Sequence, residues 1–401
     1  MNVLFLTLAY HPEAVESVLR LSRDGMQNQI NAYQWALIEG LRSNLKAGET
    51  LTIVNALPVG AFPARYRGLW LAKRAYPDNF RELGGLNLPW FKQRGRARSA
   101  RRELERWVAA SPENRTILVY TLYLPYMRAV EAVKKRHPDV KAAVIVTDLP
   151  NELGISSGRR GWMKRIEYAM GEKSTALCRA FNGFVLLTAP MAEALKVGGR
   201  PWIVLEGLVT QADPATARAD IPRDVRPAVL YTGTLNRELG IAGLLEAFAG
   251  MEDVQLWLCG RGDMENEARE AAAAHANIRC FGFVPRETAL ALQQKADALI
   301  NPRTSEGAFT RYSFPSKTME YMRSGKPVLC CKLEGIPREY NEYLTYIEPQ
   351  TAEGIRAAVK ALLARTPEER AAAGARARAF VLKNKNSGAQ CARLLALLRG
   401  L

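Results

Sequence analysis

A short stretch around residue 316 has residue types that suit phosphate binding. Pro315, Ser316 and Lys317 precede an amphipathic segment that ends at Gly325, which predicts a helix entered through Pro315 and capped by Ser316. The free N–H groups and positive dipole at a helix N-terminus favour an anion. A lysine in the first turn is unfavourable beside that dipole unless an anion is bound. These residues therefore predict a diphosphate site at the start of the helix.

Glu320 lies about one helical turn after Lys317, on the same face. Its carboxylate could bridge the two hydroxyls of a ribose there, so the pair suits a nucleoside diphosphate. The alternative is that Lys317 is a solvated surface residue and Glu320 merely forms an ion pair with it. Arg303, which follows an apolar segment ending in Asn301 and Pro302, adds a cation to this part of the chain and favours the ligand site.

The elements that position these residues form an α/β series. Short apolar segments alternate with amphipathic ones from end to end, a pattern typical of parallel α/β units. Strands are predicted in the first half at 3–8, 51–56, 117–120, 142–147, 183–187 and 202–206. A second series of strands is predicted at 228–231, 254–258, 278–281, 298–300 and 327–329. The fold class is therefore predicted as α/β, with two Rossmann-like doubly wound domains facing each other across a cleft.

A polar, proline-containing stretch separates the two series. Residues 209–227 include Pro214, Pro222 and Pro227, which predicts a linker between a domain at 1–208 and a domain at 228–401. The apolar, helical tail at 389–398 could cap its own domain or cross back to the first. A length of 401 residues, 48% of them hydrophobic, suffices for two or three domains with real cores.

Cysteine usage and hydropathy bear on the cellular compartment. The six cysteines form no Cys-x-x-Cys pair, which disfavours a disulfide scaffold or a zinc ribbon and favours a reducing compartment. The first residues are typical of a buried strand, not of a signal peptide. Since no apolar run is long enough to span a membrane, we expect a cytoplasmic protein.

The net charge of +16 lies mostly in the first half and predicts an anionic partner. Cations and aromatic residues are interleaved at 92–106 and 159–165, with Trp70, Trp90 and Phe91 nearby. Two solvated helices would explain these segments. The other interpretation is attachment to the inner face of an anionic membrane, where each cation contributes ~1 kcal/mol. A nucleic-acid partner is a distant alternative, because the basic runs lack known RNA- or DNA-binding patterns.

Two residues of the first domain follow predicted strands. His11 comes after the strand at 3–8, and Asp148 after the strand at 142–147. Carboxyl ends of parallel strands line the ligand edge of such sheets, so either residue could act as a general base for an acceptor hydroxyl or bind it. Alternatively, Asp148 caps the turn before Pro150 and His11 packs within a loop.

Several segments of the second half, taken together and in order, resemble one enzyme family. They are 230–235 (LYTGTL), 258–262 (LCGRG), 281–285 (FGFVP), 296–303 (ADALINPR) and 314–328. This half resembles the GT-B glycosyltransferases of glycosyltransferase family 4, a retaining family with sucrose-phosphate-synthase-like and polysaccharide-building members. The first half is similar in outline only.

The resemblance implies a UDP- or GDP-linked sugar donor, bound mainly by the second domain. In such a site Glu320 holds the ribose hydroxyls, Ser316 and Lys317 contact the diphosphate, and Arg303 lies near the leaving phosphates. The nucleotide sugar is a co-substrate, and no further cofactor is expected.

Other positions follow or depart from the family pattern. The resemblance implies that Gly233 and Thr234 let the backbone approach the donor phosphates. The family often has an arginine directly after that glycine and a lysine shortly afterwards, whereas this chain has Thr234 and Leu239. Arg237 is the nearest substitute cation. Tyr312 stands where the family often has a second glutamate, and the other acid, Glu306, lies further upstream.

Expulsion of a nucleoside diphosphate builds negative charge that a metal or protein cations must stabilise. The sequence has no Asp-x-Asp metal motif, so we expect Lys317 and Arg303, with Arg261 or Arg237, to stabilise this charge without a metal. The predicted reaction is hexose transfer to a hydroxyl of a lipid-linked glycan, with retention implied by the resemblance. A nucleotide-sugar epimerase, a phosphorylase or a non-catalytic binding relative would share the architecture.

Overall fold

A computed structural model describes residues 1–111, 113–150, 162–209 and 225–401. These residues form two compact units, the first comprising Met1–Leu208 with Ser387–Leu401 and the second Val209–Asn386. The C-terminal segment therefore belongs to the first unit. Most of the expected linker, together with Arg159 and Arg160 of the second basic segment, lies outside the described residues.

The first unit is built on a mostly parallel sheet. Its strands are β1 (Asn2–Thr7), β2 (Thr50–Asn55), β3 (Trp70–Leu71), β4 (Arg74–Tyr76), β5 (Phe80–Glu82), β6 (Gly85–Leu86), β7 (Arg115–Tyr120), β8 (Lys141–Val146), β9 (Gly183–Leu186) and β10 (Trp202–Val204). In the described part of the chain, eight of them form a sheet ordered β10-β9-β8-β7-β1-β2-β5-β4. Among the described strands of this eight-stranded sheet, only β4 runs antiparallel to its neighbour. The apolar strand interiors are buried, as a sheet covered by helices requires.

Helices alternate with these strands and cover the sheet. They are α1 (Val15–Leu21), α2 (Asn28–Ser43), α3 (Phe91–Ala110), α4 (Leu124–Arg136), α5 (Trp162–Leu177) and α6 (Met191–Ala194). Leu37, Ile38 and Leu41 form the buried stripe of α2, at the spacing expected of an amphipathic helix. The strands β3 to β6 are only two or three residues long, too short for an alternating pattern to reveal them.

The second unit has a fully parallel sheet. Its strands are β11 (Ala228–Thr232), β12 (Gln255–Cys259), β13 (Ile278–Gly282), β14 (Ala298–Asn301), β15 (Val328–Cys331) and β16 (Thr345–Ile347). Among the described residues the order is β13-β12-β11-β14-β15-β16, the doubly wound order of dinucleotide-binding folds. The sequence-based prediction of Rossmann-like α/β domains is confirmed.

The remaining helices are α7 (Ile241–Ala249), α8 (Glu265–Ala274), α9 (Arg286–Lys295), α10 (Ser316–Ser324), α11 (Ala352–Leu363), α12 (Pro367–Asn384) and α13 (Ser387–Arg399). The last of them, α13, packs with α2 in the core of the first unit through Cys391, Leu394 and Leu395. Gly40 of α2 allows this close approach, because an added Cβ would lie 2.5 Å from the carbonyl oxygen of Ser387.

Candidate functional site

The order of the second sheet defines where a ligand would bind. β11 and β14 are neighbours, and the chain leaves them toward opposite edges of the sheet. The carboxyl ends of this pair therefore form the switch point at which doubly wound folds bind ligands. Gly233 follows β11 there, and Arg303 follows β14. The structure thus brings the two predicted segments to one edge.

Glycines let the loops at this edge pack closely. The N–H of Gly233 donates to the carbonyl of Cys259 at 2.9 Å, and that of Gly260 donates to Gly282 at 2.8 Å. A Cβ on Gly260 would lie 1.7 Å from the Gly233 carbonyl oxygen, and Gly260 has a φ of 149°. Only glycine satisfies both constraints.

The two candidate cations Arg237 and Arg261 lie on loops that are hydrogen-bonded to each other. The N–H of Leu235 donates to the carbonyl of Arg261 at 2.9 Å, and the N–H of Arg237 donates to Asp263 Oδ1 at 3.0 Å. The exposed Arg237 guanidinium lies 3.6 Å from Glu267. Arg261 lies over the exposed ring of Phe283, 5.1 Å from its centroid. Both cations are therefore at the surface, each beside a partner.

Helix α10 starts at the same edge, and its start differs from the prediction. Pro315 is the N-cap residue and Ser316 is the first helical residue, with no side-chain cap. The expected capping role of Ser316 is therefore wrong, because the extended backbone of Pro315 takes the cap position and proline has no polar side-chain group. Gly325, with a φ of 79°, ends the helix as predicted. Asn301 Nδ2 donates to Thr318 Oγ1 at 3.3 Å, which joins the end of β14 to the first turn.

Lys317 and Glu320 form an ion pair with each other, which is the alternative to ligand binding considered above. Lys317 Nζ lies 3.2 and 3.3 Å from the two carboxylate oxygens of Glu320, and both side chains are partly exposed. Glu320 also accepts a hydrogen bond from Gln293 Nε2 at 2.9 Å. Gln293 belongs to α9 and is only 1% exposed. A buried amide thus positions the carboxylate, which an ordinary surface ion pair does not require.

The side chain of Tyr321 links α10 to β11 through hydrogen bonds next to this ion pair. The Tyr321 hydroxyl donates to the carbonyl oxygen of Thr232 at 3.0 Å and accepts from its N–H at 2.8 Å. Gln293 Nε2 also approaches Thr232 Oγ1 at 3.3 Å. Burial raises the pKa of Tyr321, so the hydroxyl stays neutral. The sequence analysis assigned no role to Gln293, and none to Thr232 or Tyr321 within the segments 230–235 and 314–328. Nothing local to these residues marks them as partners of one another.

Arg303 is held in a partly buried position. Its Nη2 donates to Ser313 Oγ at 2.6 Å, and its guanidinium carbon lies 4.9 Å from the centroid of the Phe309 ring. Its Nε is buried and has no hydrogen-bond acceptor among the described residues. Burial lowers its pKa, an effect that Tyr231 opposes. An arginine nevertheless remains charged, so the switch point carries a fixed cation.

The positions that depart from the family pattern have ordinary structural surroundings. The carbonyl of Thr234 accepts from the Tyr231 hydroxyl at 2.8 Å, and Leu239 ends a short 3-10 turn that begins at Arg237. Tyr312 ends another 3-10 turn, and Glu306 is exposed.

In the first unit, His11 is enclosed by aromatic rings. It stacks on Tyr76 with ring centroids 3.6 Å apart and is only 6% exposed. Its Nδ1 accepts from the N–H of Glu13 at 3.3 Å. Burial lowers its pKa, although Asp78 opposes this. This geometry agrees with the packing alternative for His11.

Asp148 follows β8 and retains the features of a candidate base. Its carboxylate accepts a hydrogen bond from the Thr147 hydroxyl at 3.0 Å. Asp148 is exposed at the surface, and the partial desolvation of its carboxylate raises its pKa, which makes the carboxylate a stronger base. Tyr120 lies at the end of β7. Burial, together with the negative charge of Asp148, raises the pKa of Tyr120 to about 12.

Several cations of the basic segment in α3 form ion pairs with acidic side chains, more than the composition of the segment indicated. The buried carboxylate of Glu103 lies within 2.6–3.7 Å of Lys73, Arg81 and Arg106, and Glu105 pairs with Arg101 and Arg136. In contrast, three exposed residues of α3 form no hydrogen bond or ion pair with any described residue: Arg94, Arg98 and Arg102.

Neither a metal cluster nor a membrane span is evident in the described ranges. No group of three or more His, Cys, Asp or Glu side chains there could hold a metal ion. No helix in the same ranges is long and apolar enough to cross a membrane.

A family model matches the part of the chain that contains this edge of the second sheet. Residues 226–365 match the family model "Glycosyl transferases group 1", which covers the β11 and β14 edge and all of α10. This match identifies the chain as a glycosyltransferase. A search of curated proteins finds no match.

Solved structures of similar fold cover nearly the whole of both chains. Sucrose-phosphate synthase from Thermosynechococcus elongatus has a TM-score of 0.61 at 18% identity, covering 100% of this chain and 98% of that one. A trehalose-6-phosphate structure from E. coli bound with UDP-2-fluoro glucose has a TM-score of 0.64 at 10% identity, with coverages of 100% and 99%. The catalytic domain of starch synthase IV from Arabidopsis thaliana, bound to ADP and acarbose, has a TM-score of 0.59 at 11% identity, with coverages of 100% and 99%. At these identities the likeness shows the fold, which is that of GT-B glycosyltransferases.

Proposed function

We propose that this glycosyltransferase moves a hexose from a nucleoside diphosphate sugar to a hydroxyl of a lipid-linked glycan, with retention and without a metal ion. The observation that carries the donor part is the arrangement of Gln293, Glu320 and Lys317 beside the switch point of the second sheet. Retention rests on the resemblance to glycosyltransferase family 4. Membership of that family is likewise part of the proposal.

Glu320 binds the donor ribose in this proposal. A carboxylate already oriented by a buried amide loses little conformational freedom when it accepts bonds from two hydroxyls. Lys317 is then free to exchange its exposed ion pair with Glu320 for contacts with the diphosphate. The exchange is inexpensive, because a partly exposed ion pair contributes only ~0–1 kcal/mol.

Charge stabilisation accounts for the chemical step. When the bond from the sugar to the phosphate breaks, negative charge grows on the leaving diphosphate. Arg303 supplies positive charge from the loop that follows β14 and Lys317 from the first turn of α10, and the N–H groups of that turn add a dipole of the same sign. Arg237 or Arg261 supplies a third cation from the rim. Asp148, on the first unit, is the candidate base for the acceptor hydroxyl.

The α3 surface supports the lipid-linked acceptor and a cytoplasmic location on the inner face of the membrane. Phe91, Arg94, Arg98 and Arg102 recur at helical spacing and are exposed, so they share one face. Trp90 beside them is 64% exposed. Cations and aromatic side chains on one face match an anionic bilayer surface.

A nucleotide-binding measurement tests the donor site. Thermal unfolding is recorded with UDP, GDP, ADP and TDP, each with and without EDTA. A nucleotide at 100 times its dissociation constant adds ~2.7 kcal/mol of stability. We expect one nucleotide to stabilise the protein equally with and without EDTA. Glu320→Ala should remove this stabilisation, and the exposed control Glu252→Ala should not. The donor site is wrong if no nucleotide stabilises the protein, and metal independence is wrong if EDTA abolishes the effect.

Transfer itself is tested with the stabilising nucleotide linked to a hexose. Consumption of the donor should require a glycan lipid acceptor, and the new anomeric centre, read by NMR, should keep the donor configuration. Conversion of the donor sugar without any acceptor would instead indicate an epimerase. A protein that binds the donor but never consumes it would be a binding relative.

Vesicle sedimentation tests the membrane surface. Changing Arg94, Arg98 and Arg102 together to Ala should weaken binding to vesicles rich in phosphatidylglycerol about a hundredfold, since each cation contributes ~1 kcal/mol. Lys73, Arg101 and Arg136 changed together to Ala remove the same charge from paired positions and serve as the control. Equal loss in both variants would contradict a specific face.

A further inference from the structure

A cavity in the second unit lies at the amino end of β16. It has a volume of about 340 Å³, and Thr345, the first residue of β16, is on its lining. Thr345 pairs with Leu329 of β15, and β11, β14, β15 and β16 run parallel. The candidate donor loops follow the carboxyl ends of β11 and β14, so this cavity lies at the opposite edge of the sheet. Its volume is at the lower end of the roughly 300–1,000 Å³ typical of small-molecule sites.

Three separate segments of the chain supply the lining. Residues 342–346 lead into β16, Arg365 follows α11, and Ala373 and Arg376 belong to α12. Ala373 and Arg376 are three residues apart and therefore share a face of the helix. The small side chain of Ala373 leaves space beside the arginine. The fold thus brings two arginines from different segments to one cavity.

Contacts within the second unit hold these walls in place. The ring of Tyr343 stacks on Phe380 of α12, with centroids 4.3 Å apart and planes at 17°. Arg370 Nη1 donates to the carbonyls of Leu363 and Arg365 at 3.0 and 2.7 Å, which fixes the connection between α11 and α12. A ligand that binds here pays little to order the backbone.

The charged side chains on the lining have no partners of their own. Glu342, Arg365 and Arg376 are exposed, and none of these three side chains forms a hydrogen bond or ion pair with any described residue. In contrast, Arg356 of α11 pairs with Glu353 at 2.8 Å. The carboxylate of Glu342 lies on the same lining as two guanidinium groups without pairing with either. All three groups are therefore available to a ligand.

These charges specify the chemistry of the ligand. Two guanidinium groups, always protonated, match a phosphate monoester, which carries a charge of about −1.5 to −2 at neutral pH. Their planar N–H groups bind phosphate oxygens in pairs. The carboxylate of Glu342 repels a bare anion but accepts hydrogen bonds from hydroxyl groups. The cavity therefore favours a molecule that carries both a phosphate and hydroxyls.

We propose that this cavity is a second ligand site of the protein, for a phosphorylated sugar or polyol of about the size of a hexose phosphate. Arg365 and Arg376 hold the phosphate, and Glu342 accepts hydrogen bonds from the hydroxyls. The site is separate from the candidate donor site at the other edge of the sheet, and it does not depend on the proposed reaction.

Calorimetric titration of the full chain at fixed ionic strength tests the ligand class. The probes are glucose 6-phosphate, glucose, inorganic phosphate and glucuronate. We expect glucose 6-phosphate to bind about tenfold or more tightly than each of the others, because only it offers both the double charge and the hydroxyls. Binding of glucuronate or inorganic phosphate as tight as that of glucose 6-phosphate would contradict the proposed class.

Variants locate the binding. Arg365→Ala combined with Arg376→Ala should weaken binding of glucose 6-phosphate about tenfold or more, since charge-assisted hydrogen bonds to both guanidinium groups are lost. The control is Lys360→Ala combined with Lys383→Ala, which removes two exposed cations of α11 and α12 that are not on the lining and should leave the affinity unchanged. Thermal unfolding of both double variants checks that the fold is retained.

Two further variants separate this cavity from other sites. Glu342→Gln should bind inorganic phosphate more tightly than wild type and should prefer glucose 6-phosphate less, because the repulsion of a bare anion is removed. Lys317→Met, at the candidate donor site, should bind glucose 6-phosphate with wild-type affinity.

The proposal is overturned if glucose 6-phosphate does not bind or if the arginine double variant keeps wild-type affinity. An equal loss in the lysine double variant would reduce the effect to general surface charge and also overturn it. A loss of binding in Lys317→Met would place the sugar phosphate in the donor site instead. Failure of the nucleotide to stabilise the protein, with sugar phosphate binding intact, would contradict the proposed donor site and leave this cavity as a ligand site.

Discussion

The side-chain amide of Gln293 donates to the carboxylate of Glu320 at 2.9 Å while it also approaches Thr232 at 3.3 Å. One buried residue of α9 thereby links the end of β11 to the exposed face of α10. The buried amide of Gln293 therefore orients the Glu320 carboxylate, in addition to the ion pair with Lys317. The ribose-binding group of the proposed donor site is therefore built partly from an element that carries no motif.

Replacing Gln293 should disturb nucleotide binding through Glu320. In Gln293→Leu we expect nucleotide affinity to fall about twofold to twelvefold, because the lost hydrogen bond contributes ~0.5–1.5 kcal/mol. The measurement is calorimetric titration with the stabilising nucleotide. Gln294→Leu is the matched control, since the side chain of the exposed Gln294 donates to the carbonyl of Ser324 at the far end of α10. Equal affinity in the two variants would show that Glu320 does not depend on Gln293.

Removal of the Lys317 charge should slow turnover more than it weakens binding. In Lys317→Met we expect kcat to fall about a hundredfold or more while KM for the donor changes little, because the charge on the leaving phosphate is greatest in the transition state. Steady-state kinetics measures both constants. Lys360→Met, an exposed change on α11, is the control. A rise in KM with unchanged kcat would assign Lys317 to ground-state binding instead.

The loop contact at Gly260 should tolerate no side chain. Gly260→Ala places a Cβ 1.7 Å from the Gly233 carbonyl oxygen, so we expect a loss of at least ~1–3 kcal/mol in the free energy of unfolding. Gly243→Ala is the contrasting control, because its Cβ would meet no atom within 4 Å and helix α7 should gain ~0.5–1 kcal/mol. Urea unfolding distinguishes the two. A Gly260→Ala protein as stable as the wild type would contradict the close loop contact.

The buried lysine Lys92 should make stability depend on pH. Its Nζ donates to the carbonyls of Val59 and Gly60, and burial lowers its pKa to about 7. An unfolded lysine has a pKa of about 10.4. Between these two pH values the unfolded chain binds more protons than the folded chain, so this group makes the free energy of unfolding rise with pH.

Lys92→Met removes this dependence. The free energy of unfolding of the variant, minus that of wild type, should be ~1–3 kcal/mol larger at pH 6 than at pH 9.5. The reason is that wild type must bury a charge only at the lower pH. Urea unfolding at the two pH values measures this difference. Lys173→Met changes an exposed lysine of α5 and should show no such trend. A Lys92→Met advantage that is the same at both pH values would place the lysine in a solvated position.

Most of the fold could be predicted from local patterns. Apolar runs in a parallel sheet are local and nearly continuous, so strands such as β1, β7 and β11 could be placed to within a residue or two. The strands β3 to β6 were not predicted, because segments of two or three residues have no measurable period. The cap of α10 was misplaced by one residue, since Ser316 and Pro315 both suit a helix start and only the backbone angles distinguish them.

The sequence by itself determined the alternation of strands and helices and the presence of Arg303, Lys317 and Glu320 around β14 and α10, because these depend on neighbours along the chain. Only the tertiary structure decided which distant groups meet them. It placed Gln293 under Glu320, enclosed His11 among aromatic rings, and gathered three cations around Glu103. Such partners are chosen by packing between elements far apart in the chain, and no local period or motif records that choice.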